Sequence, residues 1–510
     1  MTSTNAPREP VSGRQIAKGA AWLMLFKMID KSIGLVSTLF LARLLVPADF
    51  GLVAMATAVV AFTQLMGAFG FDSALIQRQD ARREHYDTAW TFNVIFGVAV
   101  AVALSLLAVP MAHFYRDDRL VAIMLVLGIG ALVGGFENIG TVAFRKDMDF
   151  RNEFRFLLIK RVVSFSVTML LAFELRSYWA LVAGAVTSRI LSAWISYRLH
   201  PFRPRLTLTA RADLMHFSKW IFLSSLIGFF TGKSTDFILG RTVGSHGLGV
   251  YNISWEIAVM PSSELIAPLN RAVFPAYARL SGQPAELRSR FLEVFGVICL
   301  IAIPVSGGLF AVADAAVRVV LGSQWLESIP LIQIFAVSGL IGALQSNLYL
   351  VIVAMGKPQA NTLLSACLLL VSLPLTIWAS LNHGVLGASY AMLCYSIVGM
   401  FGILIIFTRI TRISIASLLG VAWRPACCAA LMVVALLWLD GTQALAAASV
   451  PGHLARLLFL CAAGAMIYIV SAWCLWRFCG APVGAERFVL DLFGLLGQRA
   501  AAWFRRAGAA

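Results

Sequence analysis

Residues 25–34 read "LFKMIDKSIG", placing Lys27, Asp30 and Lys31 in the middle of an apolar run from Ile16 to Val46. Each such charge costs about 2.5–3.5 kcal/mol at the centre of an inserted helix, so each needs a partner, water or a ligand. The spacing i, i+3, i+4 puts all three on one helix face, together with Gly34 and Thr38. A face of this kind lines a water-filled cavity, and its surplus positive charge favours an anionic ligand. A purely structural network stands beside that reading, in which Asp30 neutralises one lysine and a neighbouring helix takes the other.

Further charges lie at similar depth. Arg189 interrupts "LVAGAVTSRILSAWISY", and Lys160 with Arg161 sits near the start of another run, where snorkelling toward the cytoplasm is expected. Lys233 and Asp236 are three residues apart, so they either neutralise each other or serve binding (Lys233) and ion coupling (Asp236). Glu256 is a candidate for ion coupling and otherwise a satisfied buried acid. Glu137 and Asn138 are polar residues inside a fourth run. Arg43 and Arg241 suit the C-terminal ends of their helices. The candidate substrate-binding set is Lys27, Asp30, Lys31, Arg189 and Lys233.

The elements carrying these residues follow from composition. Of 510 residues, 60% are hydrophobic and 13% charged, with a mean hydropathy of +0.83; soluble domains carry about 25% charged residues. The expected fold is an all-α integral membrane protein. Apolar runs long enough to span ~30 Å number about fourteen, from residues 15–45 to 453–477. They group as a lobe at 1–205 (helices 1–6), a lobe at 206–412 (helices 7–12), two helices at 413–480 and a tail at 481–510. The net charge of +16 would suit nucleic acid, but the basic residues fall in short connections, so anionic lipid headgroups are the expected neighbours. With a cytoplasmic N-terminus, one side collects about 20 Lys and Arg and the other roughly six, which fixes both termini as cytoplasmic.

A shift of 198 residues brings Trp22, Leu25, Leu41, Arg43 and Gly51 onto Trp220, Leu223, Leu239, Arg241 and Gly249. Two six-helix lobes related by an axis along the membrane normal are implied. In the tail, Val489, Leu492, Phe493, Leu496, Ala500 and Trp503 recur at helical spacing near Arg499, Arg505 and Arg506. The expectation there is an amphipathic helix on the inner leaflet, with a frayed tail as the alternative.

Catalytic chemistry is not expected. The seven histidines form no HExxH, and no GxSxG occurs. "GFFTGKS" at 228–234 has three residues between its glycines where a phosphate loop has four, and no strand precedes it. The eight cysteines have no metal-ligand spacing and sit in apolar runs, so no metal or other cofactor is expected.

"LARLLVPADFGLVAMATAVVAFTQLMGAFGFDSALIQRQD", then "HYDTAWTFN", "FRKDMDF" and "FPAYARL", resemble the Wzx-type oligosaccharide flippases. These are the polysaccharide-transporter branch of the multidrug/oligosaccharidyl-lipid/polysaccharide exporter superfamily, and the likeness is greatest to the colanic-acid and xanthan type. It is strongest over 14–155 and only compositional after about 410. The resemblance implies twelve core helices, often with two more, and alternating access. It also implies undecaprenyl-diphosphate-linked oligosaccharide as substrate, moved from the cytoplasmic to the periplasmic leaflet of the bacterial inner membrane. Polysaccharide polymerase and export machinery would be its partners. The alternatives are a multidrug or cation antiporter, or a peptidoglycan-precursor flippase, of the same superfamily.

Overall fold

A computed structural model describes residues 13–65, 71–78, 80–441, 450–482, 484, 486 and 487. The tail read as amphipathic lies outside them. All regular structure among the described residues is helical: α1 (Gly13–Leu44), α2 (Pro47–Gln64), α3 (Phe71–Gln77), α4 (Arg83–Tyr115), α5 (Arg119–Gly135), α6 (Val142–Lys146), α7 (Phe150–Leu175), α8 (Trp179–Leu199) and α9 (Arg211–Thr242) lead to α10 (Gly244–Arg279). Then follow α11 (Pro284–Ala316), α12 (Ser328–Ala354), α13 (Pro358–Thr411), α14 (Ile415–Gly441) and α15 (Val450–Phe478). Nine of these are long and apolar enough to cross a membrane, or ten if the bent α5–α6 pair is one span. α1, α9 and α10, which carry most of the candidate charges and were expected as spans, are helical but are not among these nine. The 54-residue α13 is two helices joined at Gly384, whose positive φ of 60° turns the chain there. The outer surface is lipid-like: Leu106, Leu370 and Trp438 are 73%, 73% and 70% exposed, which water would penalise and acyl chains do not.

The chain forms two compact units, residues 1–249 and 250–510. The division expected near residue 205 differs from this by α9, which packs on α2, α3 and α4 and so belongs with the first unit. In that unit α1 packs on α7, α7 on α8, α8 on α5 and α5 on α4. Leu41, Leu45, Ala172 and Ala180 form the core between α1, α7 and α8. In the second unit α11 contacts α12, α14 and α15, and α12 packs on α13. Phe291, Phe295, Leu348, Val351 and Phe407 fill its largest core.

The fourth apolar run is broken, contrary to the continuous span read there. α5 and the segment Ile139–Lys146 meet at 65°. Asn138 stabilises the break: its backbone N–H donates to Ser196 Oγ at 2.9 Å, its side chain accepts from Gly140 N at 2.9 Å and donates to Phe202 O at 2.7 Å. Glu137 accepts from Ser192 Oγ at 2.6 Å. Both polar residues satisfy backbone and side-chain groups that a helix end would otherwise leave open.

Beyond α8 the chain runs without helix from His200 and lies along the start of α4. Arg205 N donates to Asp87 Oδ1 at 2.9 Å and Thr207 N to Thr91 Oγ1 at 3.0 Å. His200 packs edge-on to Phe144 with ring centroids 5.5 Å apart. Burial is the main cause that holds its pKa below the usual 6.5, opposed by the Asp147 carboxylate and assisted by Arg203.

One helix crossing in the first unit is closer than side chains allow. A Cβ on Gly51 would strike the Ser245 carbonyl and Gly249 N; one on Gly249 would strike the Pro47 carbonyl and Gly51 N. Pro47 and Ser245, like Gly51 and Gly249, are 198 residues apart, so the contact is reciprocal under the sequence repeat. Gly51→Ala is expected to destabilise the protein by roughly 1–3 kcal/mol through overpacking against backbone, read as a lower thermal midpoint in detergent. A second expectation concerns acid. A histidine whose folded pKa is depressed contributes its full stability above pH 6.5 and loses it as pH falls below that value, because the unfolded chain takes up the proton first. Thermal midpoints from pH 7 to 5.5 should therefore fall less steeply in His200→Asn than in wild type.

Candidate functional site

The site is built on the α1–α7 pair. Trp22 meets Phe154 at 4.8 Å between ring centroids, and Phe26 meets the same ring at 6.5 Å, aligning the two helices in register. One turn further on, Arg161 Nε pairs with Asp30 Oδ1 at 2.8 Å, and Arg161 Nη2 reaches Asp30 O at 3.4 Å. Gly34 makes room for this guanidinium, since a Cβ there would come within 3.2 Å of Nη2. Arg161 thus turns onto α1 and does not snorkel as expected. The planar guanidinium divides its nitrogens between the carboxylate and the backbone carbonyl of one residue, a fixed fork that an ammonium does not offer.

Lys27 and Lys31 occupy the same face of α1 and are both exposed. Lys160, beside Arg161, lies over the Phe156 ring with Nζ 5.5 Å from its centroid. Within residues 27–31 of α1 and 160–161 of α7, four side chains are basic and one, Asp30, is acidic, and Asp30 pairs with Arg161. Locally this stretch of the pair carries more positive than negative charge.

The other candidates lie elsewhere. Arg189 is exposed on α8 and its side chain runs over Gly134 of α5; no hydrogen bond or ion pair joins it to the α1–α7 cluster among the described residues. Lys233 Nζ pairs with Asp236 Oδ2 at 2.8 Å, with the Asp236 side chain 8% exposed and that of Lys233 41%. Their mutual neutralisation is what i, i+3 spacing permits. Glu256 is exposed on α10. In the last turn of α9, Arg241 sits over the Phe114 ring at 5.9 Å.

Two features were not singled out from the sequence. A cavity of 620 Å³ between the start of α4 and the extended chain beyond α8 is lined by Arg82, Arg83 and Arg205 with Glu84 and Asp87. In the second unit two adjoining cavities have no charged residue in their walls: one of 240 Å³ is lined largely by amides, hydroxyls and tyrosines, and one of 350 Å³ is mainly apolar with a few polar side chains. A search for charge at membrane depth passes over the latter. The signal that could have found it is the run of polar residues "GALQSNLY" within α12, at 342–349.

The fold is shared with known transporters. The lipid II flippase MurJ in its inward closed conformation aligns with a TM-score of 0.70 over 89% of this chain and 99% of that one, at 12% identity. An inward-facing multidrug resistance MATE family transporter aligns with a TM-score of 0.57 over 78% of this chain and 99% of that one, at 16% identity. The protein is thus a multi-pass helical membrane protein of the fold these two have in common. Among sequence relatives, the teichuronic acid biosynthesis protein TuaB of Bacillus subtilis is 27% identical over 68% of this chain and 73% of its own length. The lipopolysaccharide biosynthesis protein WzxC of Escherichia coli is 24% identical over 74% and 78%, and the succinoglycan biosynthesis transport protein ExoT of Rhizobium meliloti 25% over 64% and 67%. The family described as polysaccharide biosynthesis protein matches residues 40–330, and the chain belongs to that family.

The Asp30–Arg161 pair gives a direct test of the site's construction. In a double-mutant cycle of Asp30→Ala and Arg161→Ala, thermal unfolding should report a favourable coupling of roughly 1 kcal/mol, the value for a partly exposed pair. The charge-exchanged double variant Asp30→Arg, Arg161→Asp should regain part of the stability that either single exchange loses.

Proposed function

We propose that this chain is a flippase that moves undecaprenyl-diphosphate-linked oligosaccharide units from the cytoplasmic to the periplasmic leaflet of a bacterial inner membrane. The units serve the biosynthesis of a surface polysaccharide. The observation that carries the reading is the α1–α7 pair, where Asp30 is bound by Arg161 while Lys27 and Lys31 stand exposed on the same face of α1. A diphosphate cannot enter hydrocarbon unaccompanied, and a sugar chain adds hydroxyls that each need a partner. Ammonium groups on a membrane helix supply the first need while the polyprenyl tail stays in lipid. Membership of a polysaccharide biosynthesis family and relatives named for teichuronic acid, lipopolysaccharide and succinoglycan support the substrate class.

In this reading Lys27 and Lys31 meet the diphosphate. Arg161 holds Asp30 so that the acid does not compete for them, and Arg189 is a further cation for the sugar-phosphate. Lys233 and Asp236 form a pair that an incoming anion or proton opens, which makes Asp236 the candidate for ion coupling, with Glu256 the second. Alternating access by two lobes moves the substrate, both termini face the cytoplasm, and a polymerase receives the product on the far side. The connections with the most positive charge then meet the anionic inner leaflet.

The test is made in cells of the source bacterium lacking this chain. Surface polysaccharide should be lost while completed undecaprenyl-diphosphate-linked oligosaccharide accumulates, and restoring the gene should reverse both. Restoring instead a Lys27→Ala, Lys31→Ala variant at equal abundance should leave export at least tenfold below wild type, through loss of charge-assisted contacts worth about 1.5–3 kcal/mol each. Unchanged polysaccharide and lipid pools in the deletion strain would overturn the reading, and altered drug susceptibility instead would point to the antiporter alternative.

A further inference from the structure

We infer that the uncharged double cavity of the second unit is a binding site for a neutral sugar residue of the lipid-linked oligosaccharide, an inference that rests on the function proposed above. The two cavities share Gly342 and Ser346 as a common wall. One is mainly apolar, bounded by Trp255, Val259, Ile266 and Ala267 of α10, with Ser263, Asn270 and Ser338 as its polar side chains beside the shared wall. The other is bounded by Gln345 and Tyr349 of α12 and by Asn361, Ser365 and Tyr395 of α13.

The polar groups are pre-set. Asn347, fully buried, donates to Asn270 Oδ1 at 2.9 Å; Asn270 donates in turn to Ser346 Oγ at 2.9 Å, and Ser346 donates to Ala343 O at 2.7 Å. This chain fixes which way the Asn270 amide points and leaves Ser346 an open lone pair on the shared wall. Gln345 donates to Ser396 O at 2.9 Å, keeping its carbonyl oxygen and a second N–H. Tyr349, Asn361, Ser365 and Tyr395 make no side-chain hydrogen bond with any described residue, although they sit on helices that pass through the apolar layer. Polar groups there cost free energy unless something completes them.

The chemistry selects the ligand. A site without a single acid or base suits neither a phosphate nor a cation. Amides and hydroxyls that both donate and accept match the hydroxyls of a sugar ring, and the Trp255 and tyrosine faces match its C–H face. Cavities of 240 and 350 Å³ fall at or below the low end of the roughly 300–1,000 Å³ that encloses a drug-sized ligand, so each holds a ring and not a chain. The sugar portion and the diphosphate would thus be read by different parts of the protein with opposite electrostatic character.

Gly342 provides a test, because a Cβ built there meets nothing within 4 Å; Gly342→Val adds side-chain volume to the wall the two cavities share. Full-length wild type, Gly342→Val and Asn361→Ala are placed in lipid nanodiscs and checked for unaltered thermal midpoint. Affinity is measured for undecaprenyl diphosphate and for the glycosylated undecaprenyl diphosphate extracted from cells lacking this chain. Both variants should bind the glycosylated lipid about tenfold more weakly, the size expected when one or two hydrogen bonds are lost, and undecaprenyl diphosphate within twofold of wild type. Unchanged affinity for the glycosylated lipid, or an equal loss for both lipids, would overturn the inference while leaving the flippase reading intact. A wild type that binds neither lipid would instead remove the flippase reading, and this inference with it.

Discussion

Charge at membrane depth is the constraint around which the first unit is organised. α1 carries three ionisable side chains where hydrocarbon tolerates none unaided, and the Asp30–Arg161 pair at 2.8 Å is what ties that face of α1 to α7. The choice of arginine matters. A guanidinium engages a carboxylate through several fixed donors and sheds water more readily than an ammonium does. The aromatic contacts of Trp22 and Phe26 with Phe154 on the turn before, and Gly34 beneath the guanidinium, are arranged so that this pair closes.

The two units divide two kinds of polar chemistry. Strong, unbalanced charge concentrates on α1 and α7, whereas α10, α12 and α13 carry amides, hydroxyls and rings with no charge in the cavity wall. A lipid-linked oligosaccharide has the same two chemistries, one dianionic and one neutral, and a charged wall would be a poor surface for the neutral part because its desolvation would go uncompensated. The family to which the chain belongs is one of polysaccharide biosynthesis.

How much of this was legible in the sequence depended on whether the signal was periodic or conditional. The helices were legible because hydropathy needs only a run of residues, and the i, i+3, i+4 cluster at Lys27, Asp30 and Lys31 because spacing alone puts it on one face. The break at 134–138 was not, since "GALVGGFENIG" stays apolar enough to pass as one span and only Asn138's hydrogen bonds reveal that the helix has ended. Arg161 was misjudged for a related reason. Its place near a helix start suggests escape to water, and the competing partner, Asp30, is 131 residues away. α9 joined the first unit through packing that no local pattern encodes. The second unit's cavities went unread because serines, asparagines and a glutamine on separate helices form a site only after the helices are brought together.

The reciprocal crossing of Gly51 and Gly249 bears on ancestry. In a symmetric homodimer, residue i of one subunit touches residue j of the other while j touches i, the mark of an isologous interface. Pro47 against Gly249 and Ser245 against Gly51 repeat that relation inside one chain. Such a contact is what gene duplication and fusion of a self-associating ancestor would leave behind. In the ancestor one glycine codon would have controlled both halves of the crossing; after fusion each half can drift only as far as the other's backbone permits.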